Sequence, residues 1–436
     1  MKTDQRVSLI TLGCSKNLVD SEFLLKQLDG NGYEVSHENV KEGDILIINT
    51  CGFINDAKQE SIETILNFAE QKKNGKIIQL IVMGCLSQRY KEELKSEIPE
   101  VDNFFGVDDI PEIVKYLKGN NYNFEQYKRH LSKPGHYSYL KIAEGCNRKC
   151  SFCSIPFIRG NYRSKSIESL LYEATFLAQQ GVKELNLIAQ DLSYYGYDRE
   201  KKYLLPKLLE ELGNMNVFPW IRMLYAFPSQ FPTEVLKEIQ NYPSICNYLD
   251  IPFQHISNSV LKKMRRGISK KETLELIEFI KRKLPDVTLR TTLMVGHPGE
   301  TEKEFKELLN FVKNVEFDRL GVFTYSEEEG TYSARQFKDD IPDEIKQERA
   351  DEIMSLQQAI SRKKNNEKVD SVFNVLIDSE DEQFYYGRTE SDAPEVDNNV
   401  LVNKHQNGTP SSIKTGEFHT VRITDAHDFD LIGIII

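Results

Sequence analysis

The 436-residue chain has little of several things, and each scarcity excludes a class of protein. No apolar run approaches the roughly 20 residues needed to cross a bilayer, so no membrane-spanning helix is expected. The opening residues, MKTDQRVSLITLGC, lack a basic region followed by an apolar stretch and a small-residue cleavage site. Secretion is therefore not expected, and the chain reads as cytoplasmic. Positive charge is also short: 56 Lys and Arg stand against 67 Asp and Glu, a formal charge of −11. A wholesale nucleic-acid binder would carry a basic face, whereas an acidic chain suits a basic partner. Only seven cysteines occur. In a reducing compartment disulfides explain so few poorly, and metal or catalytic roles explain them better.

Three of the seven fall in one stretch, Ala143 to Gly160, AEGCNRKCSFCSIPFIRG. Cys146, Cys150 and Cys153 form a C-x3-C-x2-C array that can wrap a compact inorganic centre without completing it. The pattern suggests a 4Fe–4S cluster with three cysteine-held irons and a fourth left open for a small molecule.

The first 120 residues alternate β-branched apolar runs with helical patterns, the mark of a parallel α/β sheet. Strands are expected at Val7–Leu12, Asp44–Ile48, Ile77–Met83 and near Val101–Phe105. Helices are expected at Leu18–Leu28, Ala57–Gln71, Ser87–Ser96 and Ile110–Leu117. Three strands end alike, in LITLGC, LIINTC and LIVMGC, and deliver Cys14, Cys51 and Cys85 to the carboxyl edge of the sheet. Buried core cysteines would also fit each position alone. Their shared placement favours a second cluster with an open iron. Structural zinc would want a fourth side-chain ligand, and no histidine lies near these strand ends in sequence.

Residues 121–135 are polar and aromatic, end in Lys133-Pro134-Gly135, and read as a linker. From His136 to about residue 365, six strands alternate with helices: His136–Ala143, Glu184–Ala189, Trp220–Tyr225, Tyr248–Pro252, Thr288–Val295 and Arg319–Phe323. This pattern fits a partial (β/α) barrel with its site at the carboxyl ends of the strands. The loops at those ends carry Gln190-Asp191, Gln254-His255, Gly296-His297-Pro298-Gly299-Glu300 and Tyr325-Ser326. Taken singly, His255 and Ser326 read equally well as ordinary loop residues. Arg159 and Arg163 could neutralise a cluster or meet a cofactor carboxylate, and solvated loop arginines fit as well. Cys246 has no cysteine partner at a useful spacing and reads as structural. Asp343–Lys368 is expected to be an amphipathic helix leading out of the barrel.

Residues 366–436 change to short alternating strands, most simply a five-stranded barrel of oligonucleotide-binding type. They hold fourteen carboxylates against five Lys or Arg. A nucleic-acid groove would be basic, so this unit is expected to repel RNA and to dock a basic protein surface.

The cysteine array, with Phe152 before its last member, resembles the radical S-adenosylmethionine enzymes. LGCSKNLVDSE, NTCGFI, MGC and AEGCNRKCSFCSIPFIRGNYRS narrow the resemblance to the methylthiotransferase family, over essentially the whole chain. The resemblance implies an N-terminal auxiliary-cluster domain, a radical barrel and a C-terminal TRAM barrel. It implies two 4Fe–4S clusters, one on Cys146, Cys150 and Cys153 and an auxiliary one on Cys14, Cys51 and Cys85, whose open iron binds sulfur. One S-adenosylmethionine would methylate that sulfur and another would supply a radical, so that a methylthio group replaces a C–H hydrogen. Phe152, Gln190, Asp191, Gly296 and Glu300 lie where such enzymes contact the cofactor; no catalytic side chain is assigned beyond the cluster ligands. An electron donor such as flavodoxin or ferredoxin is implied. Within the family, GCSKNLVDSE rather than a GCQMN-like form, NTCGFINDAKQES, and YLDIPFQHIS rather than a QSGS-like form resemble the branch that modifies an aspartate of ribosomal protein S-twelve. The tRNA adenosine branch is the alternative. Outside enzymes, the alternative is an iron–sulfur electron carrier or RNA-binding module, although carriers usually complete each cluster with four cysteines.

Overall fold

In a computed structural model, residues 5–117, 128–132, 135–405 and 413–436 are described. The N-terminal unit runs β1 (Arg6–Thr11), α1 (Ser15–Gly30), β2 (Glu34–His37), β3 (Asp44–Thr50), α2 (Asn55–Lys73), β4 (Ile77–Gly84), α3 (Cys85–Glu97), β5 (Asn103–Phe104) and α4 (Ile110–Tyr116). Its sheet has the order β2-β1-β3-β4-β5, with every pairing parallel. All seven residues of β3 are buried, as a central strand covered on both faces requires. β2 was not anticipated from the sequence. EVSH is short, has no apolar run, and forms the sheet edge.

Most of the expected linker lies outside the described residues, including Lys133 and Pro134. Residues 128–132, by contrast, are packed. Arg129 is buried, pairs with Glu22 and Glu173, and donates to the Tyr139 carbonyl.

The central unit contains β6 (Tyr137–Lys141), β7 (Ala143–Glu144), α5 (Ile155–Arg159), β8 (Arg163–Ser164), α6 (Ile167–Gln179), β9 (Glu184–Ile188), α7 (Tyr197–Glu200), α8 (Leu205–Met215), β10 (Trp220–Met223), α9 (Val235–Asn241), β11 (Tyr248–Asp250), α10 (Asn258–Lys263), α11 (Lys270–Lys283), β12 (Thr288–Val295), α12 (Glu302–Val315), β13 (Arg319–Thr324), α13 (Tyr332–Gln336) and α14 (Asp343–Asn366). Six long-loop strands form two parallel sheets, β6-β9-β10 and β11-β12-β13, bridged where Ile221 meets Ile245. The expected six-strand partial barrel is present. Alternation sorts its side chains: Leu185, Leu187, Ile221, Met223, Leu249 and Leu289 join the helices in one large core. The opposite face of the same strands is strongly polar.

That polar face is completed by the C-terminal unit, a closed barrel of β14 (Val372–Glu380), β15 (Phe384–Arg388), β16 (Val400–Asn403), β17 (Phe418–Ala426) and β18 (Leu431–Ile435). Residues 388–397 meet every strand of the central barrel near its amino end. Tyr137 and Tyr139 donate to Glu395, and Glu184 pairs with Arg388. Arg222 donates to the Glu390 carbonyl, Tyr248 to Asp397, Arg290 to Asp397, and Arg319 to Asp392. Several carboxylates counted as surface acidity are thus engaged internally. Asp378 likewise meets His136 and Arg388. Exposed acids remain on the β14–β15 turn, at Glu380, Asp381 and Glu382.

Glu184 is fully buried between Arg222 and Arg388, which hold its carboxyl below the usual range against the cost of burial. Replacing Glu184 by Gln removes one negative charge and leaves the buried Arg222 without a carboxylate, while Arg388 keeps Asp378. The expected loss is about 3–5 kcal/mol. Denaturant unfolding should show it, and limited proteolysis should release the C-terminal barrel earlier than in the wild type.

Candidate active site

Cys14, Cys51 and Cys85 sit at the carboxyl ends of β1, β3 and β4: the first caps α1, the last opens α3. Two glycines let these ends close on each other. Gly13, at φ +88°, has no room for a side chain, since a Cβ would stand 2.6 Å from Cys51 Cβ and 2.9 Å from its Sγ. A Cβ on Gly52 would stand 2.7 Å from the Leu86 backbone, beside Cys85. Cys51 and Cys85 are buried, whereas Cys14 is accessible to solvent. Cys14 is nevertheless ringed by protein, the combination produced by a cavity wall. Burial raises its thiol pKa, but Lys16 and Arg159 outweigh that and leave it lowered. Burial pushes the Cys51 thiol up, and pushes Cys85 up to about 11 against the pull of Arg159.

The second cysteine loop follows β7. Gly145 takes φ +75°, and its α-carbon faces the backbone of Gly160 and Asn161, so the loop folds back on itself. The Arg148 N–H donates to Cys146 Sγ at 3.4 Å, and the Arg266 guanidinium donates to Cys150 Sγ at 3.2 Å. Donors aimed at sulfur are what anionic thiolates accept. Burial pushes Cys146 up to about 12 and raises Cys153 further. Among the described residues no three His, Cys, Asp or Glu converge on a single ion.

Between the two cysteine sets lies a buried network that sequence reading missed. Arg159, the last residue of α5, reaches across to α1. It donates to Asn17 at 2.5 Å and pairs with Asp20 at 3.4 Å and Glu144 at 2.9 Å. Lys141 pairs with the same Asp20 and Glu144. Asn17 in turn lies 3.8 Å from Cys85 Sγ. Of the two readings open for Arg159, the solvated one is excluded, since the residue is 2% exposed. Arg163, by contrast, is half exposed and pairs with Asp108. Asp20 lies within the LVDSE motif, but nothing local to it signals a partner 121 positions away.

The expected cofactor contacts divide. Gln190 donates to Glu144 and Asp191 pairs with Arg148 at 2.7 Å. Gln190 Oε1, Asp191 Oδ1 and Arg148 Nη2 are buried without a protein partner, so this corner fits a polar ligand. Burial raises Asp191, with Arg148 opposing. Phe152 is half-buried, edge-on to His297. Glu300, expected near the cofactor, is engaged by its own loop and by α14. It accepts from the Gly296 N–H at 3.0 Å and pairs with Arg349 at 2.8 Å. Gly296 is required by φ +76° and by the Lys346 side chain packed where a Cβ would be. His255 is buried against Ser257 and Glu300, the ordinary loop role. Ser326 accepts from Asn55 of the N-terminal unit. Cys246 is buried beside Trp220, Tyr248 and Val19 in an apolar cluster shared by all three units, consistent with a structural role.

A three-cysteine loop at the carboxyl end of a (β/α) barrel defines the class: a radical S-adenosylmethionine protein carrying two further domains. Residues 140–312 match the Radical SAM superfamily, residues 6–106 the Uncharacterized protein family UPF0004, and residues 369–436 the TRAM domain. The chain is 50% identical over 434 residues to ribosomal protein uS12 methylthiotransferase RimO of Bacteroides thetaiotaomicron, covering 99% of this chain and 98% of that one. It is 49% identical to the protein of that name from Parabacteroides distasonis, covering 99% of each. The chain belongs to the RimO methylthiotransferase family, a family of radical S-adenosylmethionine transferases. Among solved structures it resembles the radical S-adenosylmethionine methyltransferase TsrM from Kitasatospora setae, solved with cobalamin and a [4Fe-4S] cluster bound. The TM-score is 0.57 at 13% identity, over 76% of this chain and 74% of that one. The cobalamin-dependent enzyme OxsB matches with TM-score 0.51 at 14% identity, over 82% of this chain and 56% of that one. At these identities the likeness is one of fold. Among the described residues no helix is long and apolar enough to cross a membrane.

His297 backs the cysteine loop, with Nε2 3.1 Å from Ser333 Oγ and 3.5 Å from Ser151 Oγ. Burial pushes its pKa down to about 4 from an ordinary 6.5, with the Pro298 carbonyl opposing. Above pH 6.5 both folded and unfolded chains hold it neutral, and its contribution is complete. As pH falls towards 4 the unfolded chain takes the proton first, so stability is lost across that window, on the order of 3 kcal/mol. His297→Gln should flatten the decline of thermal stability between pH 6.5 and 4 relative to the wild type.

Proposed function

We propose that this chain is a ribosomal protein S-twelve aspartate methylthiotransferase of the cytoplasm. It would replace a β-carbon hydrogen of the aspartate by a methylthio group with two 4Fe–4S clusters. The observation that carries the reading is the pair of three-cysteine sets facing one buried polar network. Cys146, Cys150 and Cys153 would hold the radical cluster, and Cys14, Cys51 and Cys85 the auxiliary one. Bound together, the clusters and S-adenosylmethionine supply a hydrogen-abstracting radical on one side and a methylated sulfur on the other.

The chain's own residues have defined tasks in that reading. Arg148 and Arg266 offset thiolate charge at the radical site, and Arg159 does so at the auxiliary site. Gln190 and Asp191 present unpartnered acceptor atoms to the cofactor's polar groups, while Phe152 covers the loop and Gly296 lets the adjoining strand end pass close to α14. The Asp20–Lys141–Glu144–Arg159 network fixes the spacing of the two sites and excludes water between them. A single-electron donor such as flavodoxin or ferredoxin would reduce the radical cluster. The exposed acids of the β14–β15 turn would favour a basic ribosomal protein over tRNA.

Two measurements test this reading. Anaerobic reconstitution should give about eight irons per chain, and the combined replacement of Cys14, Cys51 and Cys85 by Ala should leave about four. A count near four in the intact protein sinks the two-cluster reading. In cells lacking the protein, mass spectrometry should find ribosomal protein S-twelve without its methylthio group and tRNA unchanged; loss from tRNA instead would reverse the substrate assignment.

A further inference from the structure

Buried cations in this molecule are matched with carboxylates almost throughout. Arg222, Arg388, Arg319, Arg129, Lys141 and Arg159 each hold one within 4.0 Å. Lys16 breaks the pattern. It is 8% exposed, two residues beyond Cys14, on the first turn of α1. Its Nζ stands 3.8 Å from the centroid of the Tyr225 ring. Among the described residues it makes neither a hydrogen bond nor an ion pair with a carboxylate. Among acidic groups the Cys14 thiol acts on it most; the carboxylates that follow, Glu144 and Asp250, are already held by Lys141 and Arg159 and by Arg290. A buried ammonium that no carboxylate holds, with the Cys14 thiol and an aromatic face for neighbours, is costly, and an added anion would relieve it.

The position says which anion. Tyr225 follows β10 in the radical barrel, so Lys16 spans from the auxiliary cysteine edge to the barrel's carboxyl edge. A group lying there faces both cysteine sets, where the reacting carbon of a substrate has to be. Arg159 acts on all three auxiliary cysteines, so Lys16, which acts on Cys14 beside it, is not their sole counter-charge.

We propose that Lys16 is the residue that receives the side-chain carboxylate of the substrate aspartate and so selects an acidic residue for modification. The proposal rests on the functional reading above and adds a specificity-determining contact to it. The ammonium approaches the carboxylate from the auxiliary-site side and leaves the β-carbon hydrogens turned towards the radical site.

The test compares holoenzyme wild type, Lys16→Met and Lys16→Arg against purified ribosomal protein S-twelve, with its target aspartate intact or replaced by asparagine. Binding is read by titration and turnover as KM against kcat, with iron content and the reduced-cluster EPR spectrum recorded for each variant. K16M is expected to weaken binding of the aspartate form by about tenfold or more, to change binding of the asparagine form by less than about twofold, and to leave iron content and spectrum unchanged. K16R is expected to restore most of the difference. Equal weakening of both forms, or no weakening of either, would overturn the assignment. So would loss of iron or an altered spectrum in K16M, since Lys16 would then serve the cluster. If the wild type leaves S-twelve unmodified, the functional reading fails and this inference falls with it; wild-type modification that K16M leaves unaltered overturns Lys16 alone.

Discussion

The structure depends on four buried charges placed between its two halves. Asp20 comes from the N-terminal sheet domain, Lys141 and Glu144 from the two successive strands β6 and β7 before the second cysteine loop, and Arg159 from the helix after it. Each acid touches both bases. Burial opposes the charged form of Lys141 and of Glu144, yet their partners hold the former protonated and the latter ionised. In so dry a place any one of the four left alone would cost several kcal/mol, so the quartet holds only as a set. Two of its members bracket Cys146, Cys150 and Cys153 in sequence, and the third element is the helix that Cys14 caps. Position at one cysteine set is thereby passed to the other without a flexible joint.

The amino end of the barrel is secured in the same manner by a different domain. One segment, residues 388–397, supplies partners for inward-pointing side chains on all six strands, so the C-terminal barrel is built into the central one. Net charge therefore has to be divided before it can be interpreted. Asp378, Asp392 and Asp397 contribute to the excess of acid in this region, but each faces an arginine and none is available to a partner. Exposed acids that remain include the turn between β14 and β15. The attraction to a basic surface survives as a local feature.

Much of this was legible in the sequence, for identifiable reasons. The six barrel strands and the three cysteine-ending strands are β-branched runs bounded by helical patterns, and period and punctuation suffice to find them. Cys246 was read as structural and lies in an apolar cluster; His255 reads out as a loop residue once Ser257 and Glu300 are seen beside it. The edge strand Glu34–His37 escaped because pairing on one side alone needs no apolar run. The charged quartet escaped for a deeper reason. Asp20 and Lys141 are 121 positions apart, and no local pattern marks two polar residues as partners. The tie of Glu300 to Arg349 also escaped, because a glycine-containing loop at a strand end looks the same whether it approaches a ligand or binds its own neighbours.

Fold and chemistry separate cleanly here. The likeness to TsrM covers 76% of the chain, well beyond the 140–312 span of the radical superfamily match, at 13% identity. A shared architecture at that distance leaves open what reacts, because unrelated activities settle on one fold. In this chain the distinctive chemistry is carried by a few strand-end residues. Where three parallel strands terminate, this chain places Cys14, Cys51 and Cys85, with Gly13 and Gly52 bare so that the backbones can close around them. A side chain on either glycine would force those strand ends apart while leaving every strand in place. The sheet would survive such a change, and the convergence of thiols at its edge would not.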